Sequence, residues 1–218
     1  MSPELFDFFR ELKENNNREW FEANKKRYHQ QVRDPLLGFV EAFAPHLESI
    51  SPHFLAEPRA NGGSMFRIYR DVRFSKNKSP YKTHAALQFR HEAGRDVHAP
   101  GFYLHLEPGN VFCGAGLWRP DSRALNYIRQ AIDEKQADWK KAIRGNFRIE
   151  GDSLKRPPRG FSPDHPLIEA LKRKDHVAVV DLDEKLASSS KFLETFTVHC
   201  QEFSALMRFL TRAVGLPF

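Results

Sequence analysis

At 218 residues, 40% hydrophobic and 28% charged, the chain has the make-up of an ordinary globular protein long enough to bury a real core. The formal net charge of +6, from 34 basic against 28 acidic residues, favours anionic partners but falls short of the excess expected of a dedicated DNA-binding protein. No run approaches the roughly 20 apolar residues of a membrane span, and the first residues carry acids and no apolar signal core, so a cytoplasmic protein without a membrane partner is expected.

Ser2 before Pro3 predicts a helix start, with the hydroxyl available as a cap and the proline where a missing N–H is no loss. Leu5, Phe6, Phe9 and Leu12 make its apolar face. Asn17 is placed to cap a second helix, with Trp20, Phe21, Tyr28 and Val32 at helical spacing until Asp34-Pro35 interrupts it. A third helix follows with Leu36, Val40, Phe43, Leu47 and Ile50 in a stripe. With 19 phenylalanines against three methionines, the core is expected to rest on rigid aromatic packing.

After Gly62-Gly63 the period changes. Phe66, Ile68, Val72 and Phe74 alternate with Arg67, Tyr69, Asp71 and Arg73, the two-residue period of a half-buried strand. Arg70 falls on the apolar side of that alternation, where a charge must be paired or must line a cavity. Residues 75–80 then form a polar, basic loop.

Glu107-Pro108-Gly109-Asn110 has the residues of a tight turn. A two-residue hairpin there sets Leu106 against Val111, Leu104 against Cys113 and Phe102 against Ala115 on one wholly apolar face. The opposite face carries Tyr103, His105 and Glu107 across from Gly114, Phe112 and Asn110. A preceding strand over 85–90 completes a three-strand antiparallel meander, with Gln88 and Arg90 on the mixed face. Gly114 and Gly116 inside a strand signal a close approach. They form either the floor of a cleft or the seat of a packed helix or second sheet.

Further on, a helix carries Leu125, Ile128 and Ile132, another carries Trp139 and Ile143, and residues 147–155 read as a small hairpin around Gly151-Asp152. Pro166 opens a short helix, 176–182 is a β-branched strand, and Phe192, Phe196, Cys200, Phe203, Met207, Leu210 and Val214 stripe a long last helix closed by Gly215. Helices, then sheet, then helices with scattered strands make a single α+β domain over 1–218, its antiparallel or mixed sheet packed by amino-terminal, central and carboxy-terminal helices.

No phosphate-binding loop, dinucleotide fingerprint, zinc-protease, serine-hydrolase or calcium motif is present, so no cofactor is implied. Cys113 and Cys200 sit in no metal or redox spacing and read as free thiols of a reducing compartment. His84, His91, His98 and His105 recur every seven residues, an interval that puts no common face together in strands and loops, so no metal site is expected.

The dense chemistry lies in residues 64–90, where Arg67, Arg70, Arg73, Lys76, Lys78, Lys82 and Arg90 interleave with Phe66, Tyr69, Phe74 and Tyr81, opposed only by Asp71. Arginine forks and mobile lysines suit phosphate or carboxylate groups. Arg70, with Arg67 and Arg73, is the candidate anion clamp, joined by Arg90 and by Arg156 and Arg159 of a proline-rich loop. Tyr69, Tyr81 and Tyr103 are candidates to stack a base or sugar, and His84 or His105 to act as acid or base. Two other readings stand beside this anionic-ligand site: a nucleic-acid surface along the exposed lysines, and arginines paired internally with acids.

Over FRIYRDVRFSKNKSPYKTH, GFYLHLEPG, GAGLWRPD and LKRPPRGFSPDHPLIEALKRKD, the chain resembles the conserved hypothetical family called domain of unknown function 2461. The resemblance implies one full-length domain in a soluble protein and carries no activity, ligand or catalytic residue with it.

Overall fold

The structure is a computed structural model that describes residues 1–94 and 98–218. Helix α1 (Glu4–Glu14) buries Leu5, Phe6, Phe8, Phe9 and Leu12. Ser2 serves its start through its carbonyl, which accepts from the Leu5 N–H, and its hydroxyl makes no cap, contrary to expectation. In α2 (Arg18–Tyr28), Asn17 caps as anticipated, its side-chain oxygen accepting from the Trp20 N–H at 2.9 Å.

The expected interruption at Asp34-Pro35 does not occur. A π turn over His29–Arg33 carries α2 directly into α3 (Asp34–Ile50), with the Asp34 N–H bonded back to the His29 carbonyl. Pro35 then falls in the first turn of α3, where its lack of a donor costs little.

Among the described residues one five-stranded, wholly antiparallel sheet runs in the order β1 (Ala85–Arg90), β2 (Gly101–Glu107), β3 (Asn110–Leu117), β5 (His176–Leu182), β4 (Arg148–Glu150). The hairpin has the anticipated register, Leu106 opposite Val111, Leu104 opposite Cys113 and Phe102 opposite Ala115, and Gly109 takes φ +77° in the turn. The expected hairpin within 147–155 is replaced by β4 pairing with β5. Past Gly151 the chain is tied back only by an isolated bridge between Ser153 and Arg173.

The apolar face of the meander is covered by α3 and by α8 (Phe192–Ala213), with Phe43 lying 4.8 Å, ring centre to ring centre, from both Phe89 and Phe196. Phe102, Leu104, Cys113, Phe196, Cys200, Phe203 and Met207 are fully buried in this aromatic core. Helices α4 (Ser122–Glu134), α5 (Gln136–Ala142), α6 (Ile168–Lys172) and α7 (Glu184–Ala187) complete the α+β fold. None of the described helices is long and apolar enough to cross a membrane.

Residues 66–74 form no strand, which overturns the alternation reading. The segment touches the edge of β1 through a bridge between Met65 and Leu87 and the Phe66 N–H on the Ala86 carbonyl, then meets residues 80–82 through a bridge between Tyr69 and Tyr81. Beyond Ile68 its apolar side is only partly covered, with Val72 half-buried, and Phe74 ends 95% exposed. A local period of two makes a strand only where a neighbouring strand supplies a continuous ladder, and this segment has contacts at two points alone.

Candidate functional site

The mixed face of the sheet opens onto a cleft of about 450 Å³ walled by Phe66, Tyr103, Phe112 and Trp118, with Gly114 and Gly116 in its floor beside Val177 and Val179. The two glycines are demanded by the neighbouring strand, not by a packed helix or second sheet. A Cβ at Gly114 would lie 2.7 Å from the Ala178 carbonyl oxygen, and one at Gly116 only 2.0 Å from that of His176. The same bare backbone keeps the floor low. Sequence reasoning left Phe112 and Trp118 out of the site; Phe112 lies on β3, whose register the turn had already fixed, and Trp118 directly follows that strand.

Beside this cleft a second hollow of about 430 Å³ is lined by residues 60–67 together with Gln88 and Arg90. Phe66 and Gln88 border both, so the aromatic cleft passes into a basic one. Arg67 is exposed there, its guanidinium bonded to nothing among the described residues. Arg90 donates to the Glu57 carboxylate at 3.1 Å, a carboxylate it shares with Arg59.

The other cations lie elsewhere. Arg70 faces a separate hollow with Tyr69 and Tyr81, and its guanidinium donates to the Ser79 carbonyl at 3.1 Å. It sits half-buried in an irregular segment, not on the inward face of a strand. Tyr81 is a core residue, stacked on Phe21 at 4.1 Å. Arg73 pairs with Asp71 at 2.7 Å, Lys78 donates to the Val72 carbonyl at 3.0 Å, and Lys76 is exposed. Lys82 donates to the Arg67 carbonyl at 2.8 Å. Burial, with Arg67 nearby, holds the Lys82 ammonium below the usual lysine range. Arg156 and Arg159 are exposed and make no hydrogen bond or ion pair among the described residues.

At the far end of the mixed face, three successive outward residues of β2 form a chain. The Tyr103 hydroxyl lies 3.0 Å from His105 Nδ1, and His105 Nε2 lies 3.4 Å from Glu107 Oε2. Because a carboxylate only accepts, the consistent tautomer has Nε2 protonated toward Glu107 and Nδ1 accepting from the Tyr103 O–H. His105 stacks on Phe112 at 4.7 Å, and the His84 ring lies 4.4 Å from it. Thr83 Oγ1 and Asn110 Nδ2 each donate to the Glu107 carboxylate at 3.2 Å.

Burial, reinforced by the neighbouring His105, lowers His84 to about 4, and burial likewise lowers His105 against the pull of Glu107. Burial also works to raise Glu107, but the hydrogen bonds from Asn110, His105 and Thr83 outweigh it and hold that carboxyl below the usual range. The Tyr103 hydroxyl is pushed up to about 12, chiefly by burial. At neutral pH the cluster is thus two neutral imidazoles beside a carboxylate. The inference that the seven-residue histidine interval brings no two rings together fails for His84 and His105, which meet through the pairing of β1 with β2. His91 and His98 are elsewhere, His91 bonded to the Pro217 carbonyl and His98 stacked on Trp118.

Fold and site together define an α+β protein with an antiparallel sheet, one face closed by helices and the other open as an aromatic cleft with a basic margin. The chain belongs to the family described as conserved hypothetical protein (DUF2461), whose model matches residues 4–209. No curated protein and no solved structure matches it.

Proposed function

We propose that the protein binds a small ligand with a flat or apolar body and an anionic group, phosphate or carboxylate. The body lies between Phe66, Tyr103, Phe112 and Trp118, and the anion lies toward Arg67. The observation that carries this reading is the border shared by the two hollows, which sets an unspent guanidinium at the margin of an apolar, aromatic cleft. The Tyr103–His105–Glu107 chain at the cleft wall supports acid–base chemistry on such a ligand, with Tyr103 the group that faces it. Two free, buried thiols, Cys113 and Cys200, support a reducing, cytoplasmic setting.

The test compares 1-naphthyl phosphate with 1-naphthol by calorimetry. The phosphate binds at least about tenfold more tightly, and Arg67→Ala removes that advantage while leaving the naphthol affinity in place. Equal affinities in the unsubstituted protein refute the reading.

A second reading is favoured by Phe74, 95% exposed at the tip of the basic loop with the Arg73 guanidinium 5.9 Å from its ring centre. An exposed ring among Arg73, Lys76 and Lys78 suits stacking on a single-stranded nucleic acid.

A further inference from the structure

We propose that His84, His105 and Glu107 form a binding site for a divalent first-row transition ion, with zinc its simplest occupant. The proposal does not rest on the anion-binding reading, although it draws on His105 and Glu107 of the acid–base chain. One ligand atom from each of the three residues lies within 4.8 Å of the other two.

The 3.4 Å between His105 Nε2 and Glu107 Oε2 carries the argument furthest. It is long for a hydrogen bond to a carboxylate, which ordinarily closes to about 2.7–2.9 Å when charge-assisted. It matches the edge of a zinc tetrahedron, since metal–ligand bonds of about 2.0–2.1 Å set neighbouring ligand atoms about 3.3 Å apart. To complete the set, His84 has to close by at most about 1.5 Å from the 4.8 Å limit. It is half-buried just before β1 and makes no hydrogen bond among the described residues, so its ring nitrogens are uncommitted.

The surroundings hold the other two ligands in place. Glu107 is braced by Thr83 and Asn110, and His105 is held by its stacking on Phe112 and by Tyr103 at Nδ1. An ion on Nε2 moves the imidazole proton to Nδ1, where the Tyr103 oxygen accepts it; this is the outer bond that orients metal-ligating histidines. Two imidazoles and one carboxylate suit zinc, iron(II) or cobalt(II) better than calcium or magnesium, which prefer oxygen ligands. The Glu107 side chain is 32% exposed, which leaves an entry path and a position for water. Lys82 is the nearby cation, and its ammonium is turned to the Arg67 carbonyl.

The experiment uses the untagged full chain, stripped with chelator and titrated with Zn²⁺ by calorimetry and with Co²⁺ by visible absorption. One equivalent binds, with the intense bands of tetrahedral cobalt. Tyr103→Phe weakens it by about ten- to hundredfold, and Glu107→Gln and His84→Ala weaken it further. His53→Ala leaves it unchanged, although His53 stacks on His91 and pairs with Glu92 in another histidine cluster. Circular dichroism of the metal-free variants establishes that they fold. Absence of a one-to-one event in the unsubstituted protein overturns the proposal, as does an event that survives in folded Glu107→Gln and His84→Ala.

Discussion

His176 gives the sharpest quantitative prediction. It opens β5 fully buried, in edge contact with Trp139 at 5.7 Å, and neither ring nitrogen makes a well-formed hydrogen bond among the described residues. Burial, with Arg173 and Arg129 adding to it, lowers its pKa from 6.5 to about 4; the Ala170 backbone and Asp175 oppose only part of this. The native state therefore keeps the imidazole neutral where the unfolded chain takes up a proton. The stability tied to the neutral ring is fully present above pH 6.5 and is lost as the pH falls toward 4.

The whole shift corresponds to about 3 kcal/mol, of which about 2 kcal/mol disappears between about pH 7 and about pH 5. Urea unfolding across that window, compared between the unsubstituted protein and His176→Leu, isolates the effect from the other histidines. The variant is expected to lose about 2 kcal/mol less on acidification. At neutral pH it should be no less stable, because it removes two buried nitrogens that make no well-formed hydrogen bond among the described residues. Identical pH dependence in the two proteins would refute the argument.

Backbone space separates two glycine substitutions. Gly116→Ala sets a Cβ 2.0 Å from the His176 carbonyl at φ +152°, and thermal or urea unfolding should register a loss above about 3 kcal/mol. Gly38→Ala meets no atom within 4 Å on the exposed side of α3 and should gain about 0.5–1 kcal/mol in the same assay. Phe74→Ser should leave the melting temperature unchanged, and on the nucleic-acid reading it weakens binding of a single-stranded oligonucleotide by about tenfold or more at low salt. Unchanged oligonucleotide affinity removes that reading.

The meander was legible because two independent signals agree there. The Pro108-Gly109 turn fixes which residues face one another, and only that register puts Leu104, Leu106, Val111 and Cys113 on one side. The same register placed Tyr103, His105 and Glu107 on the other face, so most of the histidine cluster was available from the sequence. His84 was not placed beside His105, because the meander was anticipated without the register of β1 on β2, which is set across a ten-residue connection that no local pattern encodes. Counting the interval between histidines missed the contact, since cross-strand pairing and not sequence spacing brings the rings together. The π turn was hidden for a related reason. A proline marks a helix end unless the preceding turn widens to relieve it, and the widening leaves no trace in composition.

The basic segment shows why residue type alone overstated the anion site. Irregular backbone has no ladder to satisfy its carbonyls, and here its own cations do so: Arg70 on Ser79, Lys78 on Val72 and Lys82 on Arg67. Arg73 and Arg90 are engaged by Asp71 and Glu57. Of the seven cations in residues 64–90, this leaves Arg67 and Lys76 without a hydrogen bond or ion pair among the described residues. Lys76 stands on the exposed loop beyond Phe74, and Arg67 lines the basic hollow that adjoins the aromatic cleft. The density of charge that drew notice to the segment is largely the means by which an unladdered backbone is held together, and Arg67, in the hollow beside the cleft, serves that purpose through its carbonyl and not its guanidinium.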